Sequence, residues 1–151
     1  IVGPTSIQTD QKILVGGGFT GFNGVQFGGI VRLDLDGDQD LGFTPGTGVN
    51  GFINGMVIQP DGKIVIAGGF TDYDGVPRND IARINQDGTI DFSFDPGTGI
   101  NNFAATVALQ LDGKIIISGI FTNYNGTTRN SIVRINSDGS VDTSFDPGTG
   151  T

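Results

Sequence analysis

Sixteen carboxylates, every one an aspartate, are the main reactive side chains of this 151-residue chain, which has no histidine and no cysteine. A thiol nucleophile, an imidazole base and the usual zinc ligand sets are therefore excluded. Two kinds of carboxylate chemistry remain. Oxygen ligands in a loop could hold calcium, or two aspartates could act as acid and base on a glycosidic bond.

The nearest approach to a calcium loop is Asn85-x-Asp87-Gly88-x-x-Asp91, which recurs as Asn136-x-Asp138-Gly139-x-x-Asp142. A calcium loop also needs an acid at its first position and a bidentate glutamate at its twelfth. Arg83 and Phe94 stand there, so the spacing predicts an Asp-Gly hairpin turn. Asp34, Asp36, Asp38 and Asp40 are denser, but Arg32 takes the first position. For glycoside hydrolysis nothing selects one pair among the aspartates. Near-identical repeats also argue against one asymmetric active site. No catalytic residue, metal or cofactor is expected, and the chain is not expected to be an enzyme. The pairs Arg83–Asp91 and Arg134–Asp142 are expected to be solvated structural pairs on an outer hairpin, worth about 0–1 kcal/mol each.

Binding chemistry has better candidates. Phe22, Tyr73 and Tyr124 share one aligned position, and Asn23, Asp74 and Asn125 share the next. Arg78 with Asn79, and Arg129 with Asn130, add a forked donor and an amide. An aromatic ring beside such groups could stack on a sugar. The competing reading is that each ring packs over its own loop while Asx-Gly makes the turn. The expected partners are other copies of the chain or further repeats, with a glycan or a surface protein as the alternative. The charge is -8 and the eight basic residues are spread out, so nucleic acid and anionic membrane are poor partners. No apolar run approaches the roughly 18 residues of a membrane helix, so membrane insertion is not expected.

The elements that position these residues are repeats. Gln59-Pro-Asp-Gly-Lys-Ile-Val-Ile-Ala-Gly-Gly-Phe70 recurs as Gln110 to Phe121 and, worn, as Gln8 to Phe19, with an offset of 51 residues each time. The units are 1–51, 52–102 and 103–151, forming one domain or part of a larger one. Aspartate without glutamate, together with 27 glycines, points to turns rather than helices.

Within the middle unit a short apolar strand a runs to Gln59, and Pro60-Asp61-Gly62 is a three-residue turn with Gly62 left-handed. Strand b follows, with Gln59 opposite Lys63, Ile58 opposite Ile64, Val57 opposite Val65 and Met56 opposite Ile66. Both faces of this hairpin are apolar, so it must be sandwiched between neighbours. Strand c spans 80–85 and strand d spans 89–94. A three-residue turn with Gly88 left-handed puts Arg83 opposite Asp91 and Ile84 opposite Ile90, which sorts polar from apolar side chains. In unit one Gln11 replaces the turn glycine, and Phe27, Gly28 and Gly29 replace Arg78, Asn79 and Asp80. That unit should be the atypical one.

Four antiparallel strands in about 51 residues suit a β-propeller blade and lie near the kelch repeat length. The fold class is therefore all-β, with three propeller blades; a β-trefoil is the alternative. The b–c and d–a connections should share one face, the tight turns the other.

The run Gln-x-Asp-Gly-Lys-Ile-x-Ile-x-Gly-x-Phe, followed by Arg-Ile-Asn-x-Asp-Gly-x-x-Asp-x-Ser-Phe-Asp-Pro-Gly-Thr-Gly, resembles the delta-60 repeat of bacterial proteins. It is strong in 52–151 and recognisable in unit one. The resemblance implies a β-propeller from a large secreted or cell-surface bacterial protein, with no assigned biochemical role. A scaffold or assembly role follows as the expectation, and a lectin-like propeller using the b–c loops is the alternative. Because about four to eight blades close a ring, two copies would make six.

Overall fold

In the computed structural model, residues 1–150 are described; Thr151, the last residue of unit three and of its 147–151 loop segment, lies outside them. Among the described residues there is no helix. The chain folds as three blades, each with a three-stranded antiparallel sheet and a small two-stranded hairpin. Blade one contains β1 (Val2–Ile7), β2 (Ile13–Gly17), β3 (Gly21–Phe22), β4 (Val25–Gln26) and β5 (Ile30–Leu33). Blade two contains β6 (Phe52–Ile58), β7 (Ile64–Gly69), β8 (Asp72–Tyr73), β9 (Val76–Pro77) and β10 (Ile81–Ile84). Blade three contains β11 (Phe103–Leu109), β12 (Ile115–Ile120), β13 (Asn123–Tyr124), β14 (Thr127–Thr128) and β15 (Ile132–Ile135).

The inner hairpins pair as the turn chemistry dictates. Met56, Val57 and Ile58 face Ile66, Val65 and Ile64. Gly62 has φ 82° and Gly88 φ 91°, while Gln11 takes the same left-handed conformation at φ 68°. In blades one and two the strand alternation divides each sheet into two apolar faces. Leu14 and Ile30 of blade one share a buried core with Ile64, Ile66, Ala82 and Ile84 of blade two. Val65, Ala67 and Ile81, on the other face of blade two, share a second core with Ile115, Ile117, Val133 and Ile135 of blade three. Blade two is thus covered on both sides, as the doubly apolar hairpin requires.

Two features differ from the sequence expectation. Strand d shrinks to a single bridge, Ile84 to Ile90. It stops because the Asp91 carboxylate takes the Ser93 N–H (3.0 Å) and the Phe94 N–H turns back to the Asp91 carbonyl (3.3 Å). The chain then leaves its own blade and lies along the next one as a strap. The strap from blade one bonds blade two at both ends: Thr44 N–H to the Asp87 carbonyl at 2.7 Å, and Thr47 N–H to Asp74 at 2.9 Å. The strap from blade two does the same to blade three through Asp95 and Thr98. The d–a segments therefore run between the two faces of the molecule instead of emerging only beside the b–c connections.

The second difference lies in the long b–c connections, which fold into hairpins. Asp74-Gly75, Asn125-Gly126 and Asn23-Gly24 all have positive φ at both residues. That is the type I′ turn, whose twist matches two antiparallel strands.

Candidate functional site

The aromatic rings considered at 73 and 124 as an alternative sugar platform are not exposed. Tyr73 and Tyr124 are fully buried, each covered by the strap of the preceding blade. Tyr73 donates its hydroxyl to the Gly88 carbonyl (2.6 Å) and Tyr124 to the Gly139 carbonyl (2.7 Å). Burial raises both phenol pKa values. Each ring is a rivet between hairpin, strap and c–d turn, and cannot stack on a ligand. Phe22, the blade-one counterpart, stays half-buried.

Most of the polar groups beside them are also occupied, although Arg78 and Arg129 each keep a buried Nε without a hydrogen-bond partner. Asp74 and Asn125 accept strap N–H groups, from Thr47 and Thr98. The Asn79 amide donates to the Thr98 carbonyl (2.9 Å), and that of Asn130 to the Thr149 carbonyl (2.7 Å). The guanidinium groups of Arg78 and Arg129 fold back onto the neighbouring carbonyls of Pro77 and Thr128. Asn23 remains exposed. Of these residues, Asn79 alone lines the hollow of about 360 Å³ between blades two and three, with Thr71, Asp80 and Asn101. The structure does not bring the predicted ligand residues together around one space.

The densest charge cluster lies elsewhere. In each blade one aspartate holds a lysine and an arginine at once. Asp91 meets Lys63 at 2.8 Å and Arg83 at 2.6 Å. Asp40 meets Lys12 and Arg32 at 2.7 Å each. Asp142 meets Lys114 at 2.6 Å and Arg134 at 2.7 Å. The expectation of a solvated outer pair is corrected here: Arg83 and Asp91 are buried. Phe94 covers the guanidinium at 5.0 Å, Ser93 bonds it, and the next blade closes over it. Burial opposes ionisation of Asp91, but Lys63, Ser93 and Arg83 more than offset it, so the carboxyl titrates well below its usual range. For Asp40, Lys12 is the main cause of a pKa lowered to about 2. The lysines were missed in the sequence, although Lys12, Lys63 and Lys114 align directly after the a–b turn.

The arginine also reaches across blades. Arg32 donates to the Gln86 carbonyl in the c–d turn of blade two, and Arg83 to the Ser137 carbonyl in that of blade three. The same nitrogen also donates to the side-chain oxygen of Gln59 from Arg83 and of Gln8 from Arg32, each at 3.4 Å. The charged cluster is a joint that fixes one blade against the next. The dense aspartates of unit one make a turn as well: Asp34 accepts the N–H groups of Asp36 and Asp38, both at 3.1 Å. Among the described residues no group of three or more carboxylates is placed to hold a metal ion.

A family model described as a domain of unknown function (DUF5122), beta-propeller, matches residues 8–43, 59–94 and 110–145. No curated protein matches the chain.

Proposed function

The chain belongs to the DUF5122 β-propeller family, and on that premise we propose that it is a non-catalytic scaffold, an interaction module whose ring is completed by further blades or by self-association. One observation carries this reading. The faces that are buried on blade two have half-open counterparts on the outer blades: Ile13, Val15 and Leu33 on blade one, Ile116, Ser118 and Ile132 on blade three. Open apolar sheet faces mark association sites. The repeated charged side chains support the same reading, because they serve the joints between blades and leave no converging set for catalysis.

The finer assignment, a delta-60, kelch-like repeat from a secreted or cell-surface bacterial protein, rests on the motif resemblance. Solution mass tests the function. A particle heavier than the 15.7 kDa chain is expected. A strict monomer at high concentration, from a gene encoding no more blades, would overturn the reading.

A further inference from the structure

Resting on that scaffold reading, we infer that the open face of blade three takes blade one of a second copy, in the register that joins blades one to two and two to three. The two internal joints are the same joint moved by one repeat. Leu14, Ile30, Phe43, Val49, Ile64 and Ile66 in the first core become Val65, Ile81, Phe94, Ile100, Ile115 and Ile117 in the second. Moving them once more gives Ile116, Ile132 and Phe145 on blade three, facing Ile13 and Val15 of another blade one. All five are only half-buried. Val2, which would join them, is exposed, whereas its counterpart Ile53 is buried; Ile7 is exposed too, where its counterpart Ile58 is half-buried against the first core.

The polar half of the joint is equally incomplete at both ends. Arg134 should donate to the Leu35 carbonyl, as Arg32 does to Gln86 and Arg83 to Ser137. Among the described residues it donates only to Asp142 and Ser144, and stacks on Phe145 at 4.8 Å. Gln110, which should receive its second contact, keeps a buried side-chain oxygen without a hydrogen-bond partner. The straps say the same. Gly46 lies against Asp74, so that an added Cβ would be 2.0 Å from the carboxylate, and Gly97 lies against Asn125 at 2.2 Å. Their third counterpart, Gly148, has nothing within 4 Å. On the receiving side, an added Cβ at Gly88 would lie 3.1 Å from Phe43 and one at Gly139 2.7 Å from the Asp95 carbonyl, while one at Gly37 would have nothing within 4 Å.

A donor face and its matching acceptor face therefore stand on one chain. Such a pair makes a head-to-tail contact, which closes if the rotation per blade allows it. Multiples of three blades meet the usual range of about four to eight only at six, so two copies close the ring. In it, Asn23 of each copy accepts the strap N–H of Thr149 from the other.

Cysteine pairing tests this on a chain that has no native cysteine. The internal control is the double variant Thr98→Cys with Asn125→Cys, whose side chains approach to 3.5 Å in the native chain. It should form a disulfide within one chain. Mixing the single variants Asn23→Cys and Thr149→Cys and oxidising them should yield the mixed disulfide as the dominant cross-linked product. Ile116→Asp should return the particle to monomer mass without loss of the β-sheet spectrum. A dimer that forms no mixed disulfide while the control closes, or that links Asn23→Cys to itself, overturns the register and leaves the scaffold reading standing. A particle at monomer mass overturns the second copy as occupant, and further blades then become the only way to complete the ring.

Discussion

Replacing Arg83 by alanine should cost far more than replacing Arg134, although the two occupy the same place in their repeats. Arg83 donates to Asp91, Ser93, Gln59 and the Ser137 carbonyl, and it stacks on buried Phe94. A hydrogen bond to a charged group contributes roughly 1.5–3 kcal/mol. The stack adds about 0.5–2 kcal/mol. Lys63 stays on Asp91 in the variant, so the carboxylate is not stranded, and the loss should be about 4 kcal/mol, inside the range for breaking a buried pair. Arg134 has a side chain 20 % exposed, against 8 % for Arg83, and it lacks the contact to a following blade. Its loss should be about 2 kcal/mol by the same reckoning. The difference of about 2 kcal/mol corresponds to roughly 4–8 °C in Tm for a chain of this size. Urea and thermal unfolding of the dilute protein, followed by far-ultraviolet circular dichroism, would measure both. Equal losses in the dilute chain would refute the idea that the arginine acts across the joint. On the proposal that a second copy completes the joint, the two losses should converge at high protein concentration.

Three further outcomes follow from single sites. Tyr73→Phe removes the donor to the buried Gly88 carbonyl and should destabilise by about 1–3 kcal/mol in thermal unfolding; an unchanged Tm would mean that the hydroxyl does not hold the strap and turn together. Gln11→Gly should stabilise by about 1 kcal/mol in the same assay, because a side chain at φ 68° is strained where the sister turns carry glycine. Asp80 is buried and its pKa is raised to about 6, mainly by burial, although its carboxylate accepts the Phe70 N–H. A raised acid pKa favours the fold below the ordinary carboxylate range, and that contribution is lost as pH rises through about 6. Asp80→Asn should therefore raise Tm most above about pH 6 and little near pH 4; an equal gain at both values would show that Asp80 is not the titrating group.

Much of the architecture was legible because it follows from turn chemistry and side-chain alternation. The Asp-Gly turns fixed the pairing of Ile58 with Ile64 and of Ile84 with Ile90, and both pairs are present. The apolar run on both sides of the inner hairpin required neighbours, and blade two has them. The candidate site was less legible. A tyrosine beside Asp-Gly reads alike whether it caps a loop or lies beneath another segment. What buries Tyr73 is a strap from the preceding repeat, and that crossing leaves no local signature. The Arg83–Asp91 pair, whose facing register was correct and whose solvent exposure was not, is buried by Phe94 at the start of its own strap and by the c–d turn of the next blade. The Asx-Gly hairpins in the b–c connections had a usable signal, since that dipeptide is the standard demand of a type I′ turn.

The strap means that the sequence repeat and the physical blade are out of phase by the length of the strap. Every whole repeat added or removed leaves the array with the same two kinds of end, one offering a strap and one awaiting it. Copy number can then change by recombination between repeats without any new contact having to evolve, and stability should scale with the number of neighbouring pairs. The array also has a polarity: its two ends differ, because the straps all run from one blade to the next in the same direction.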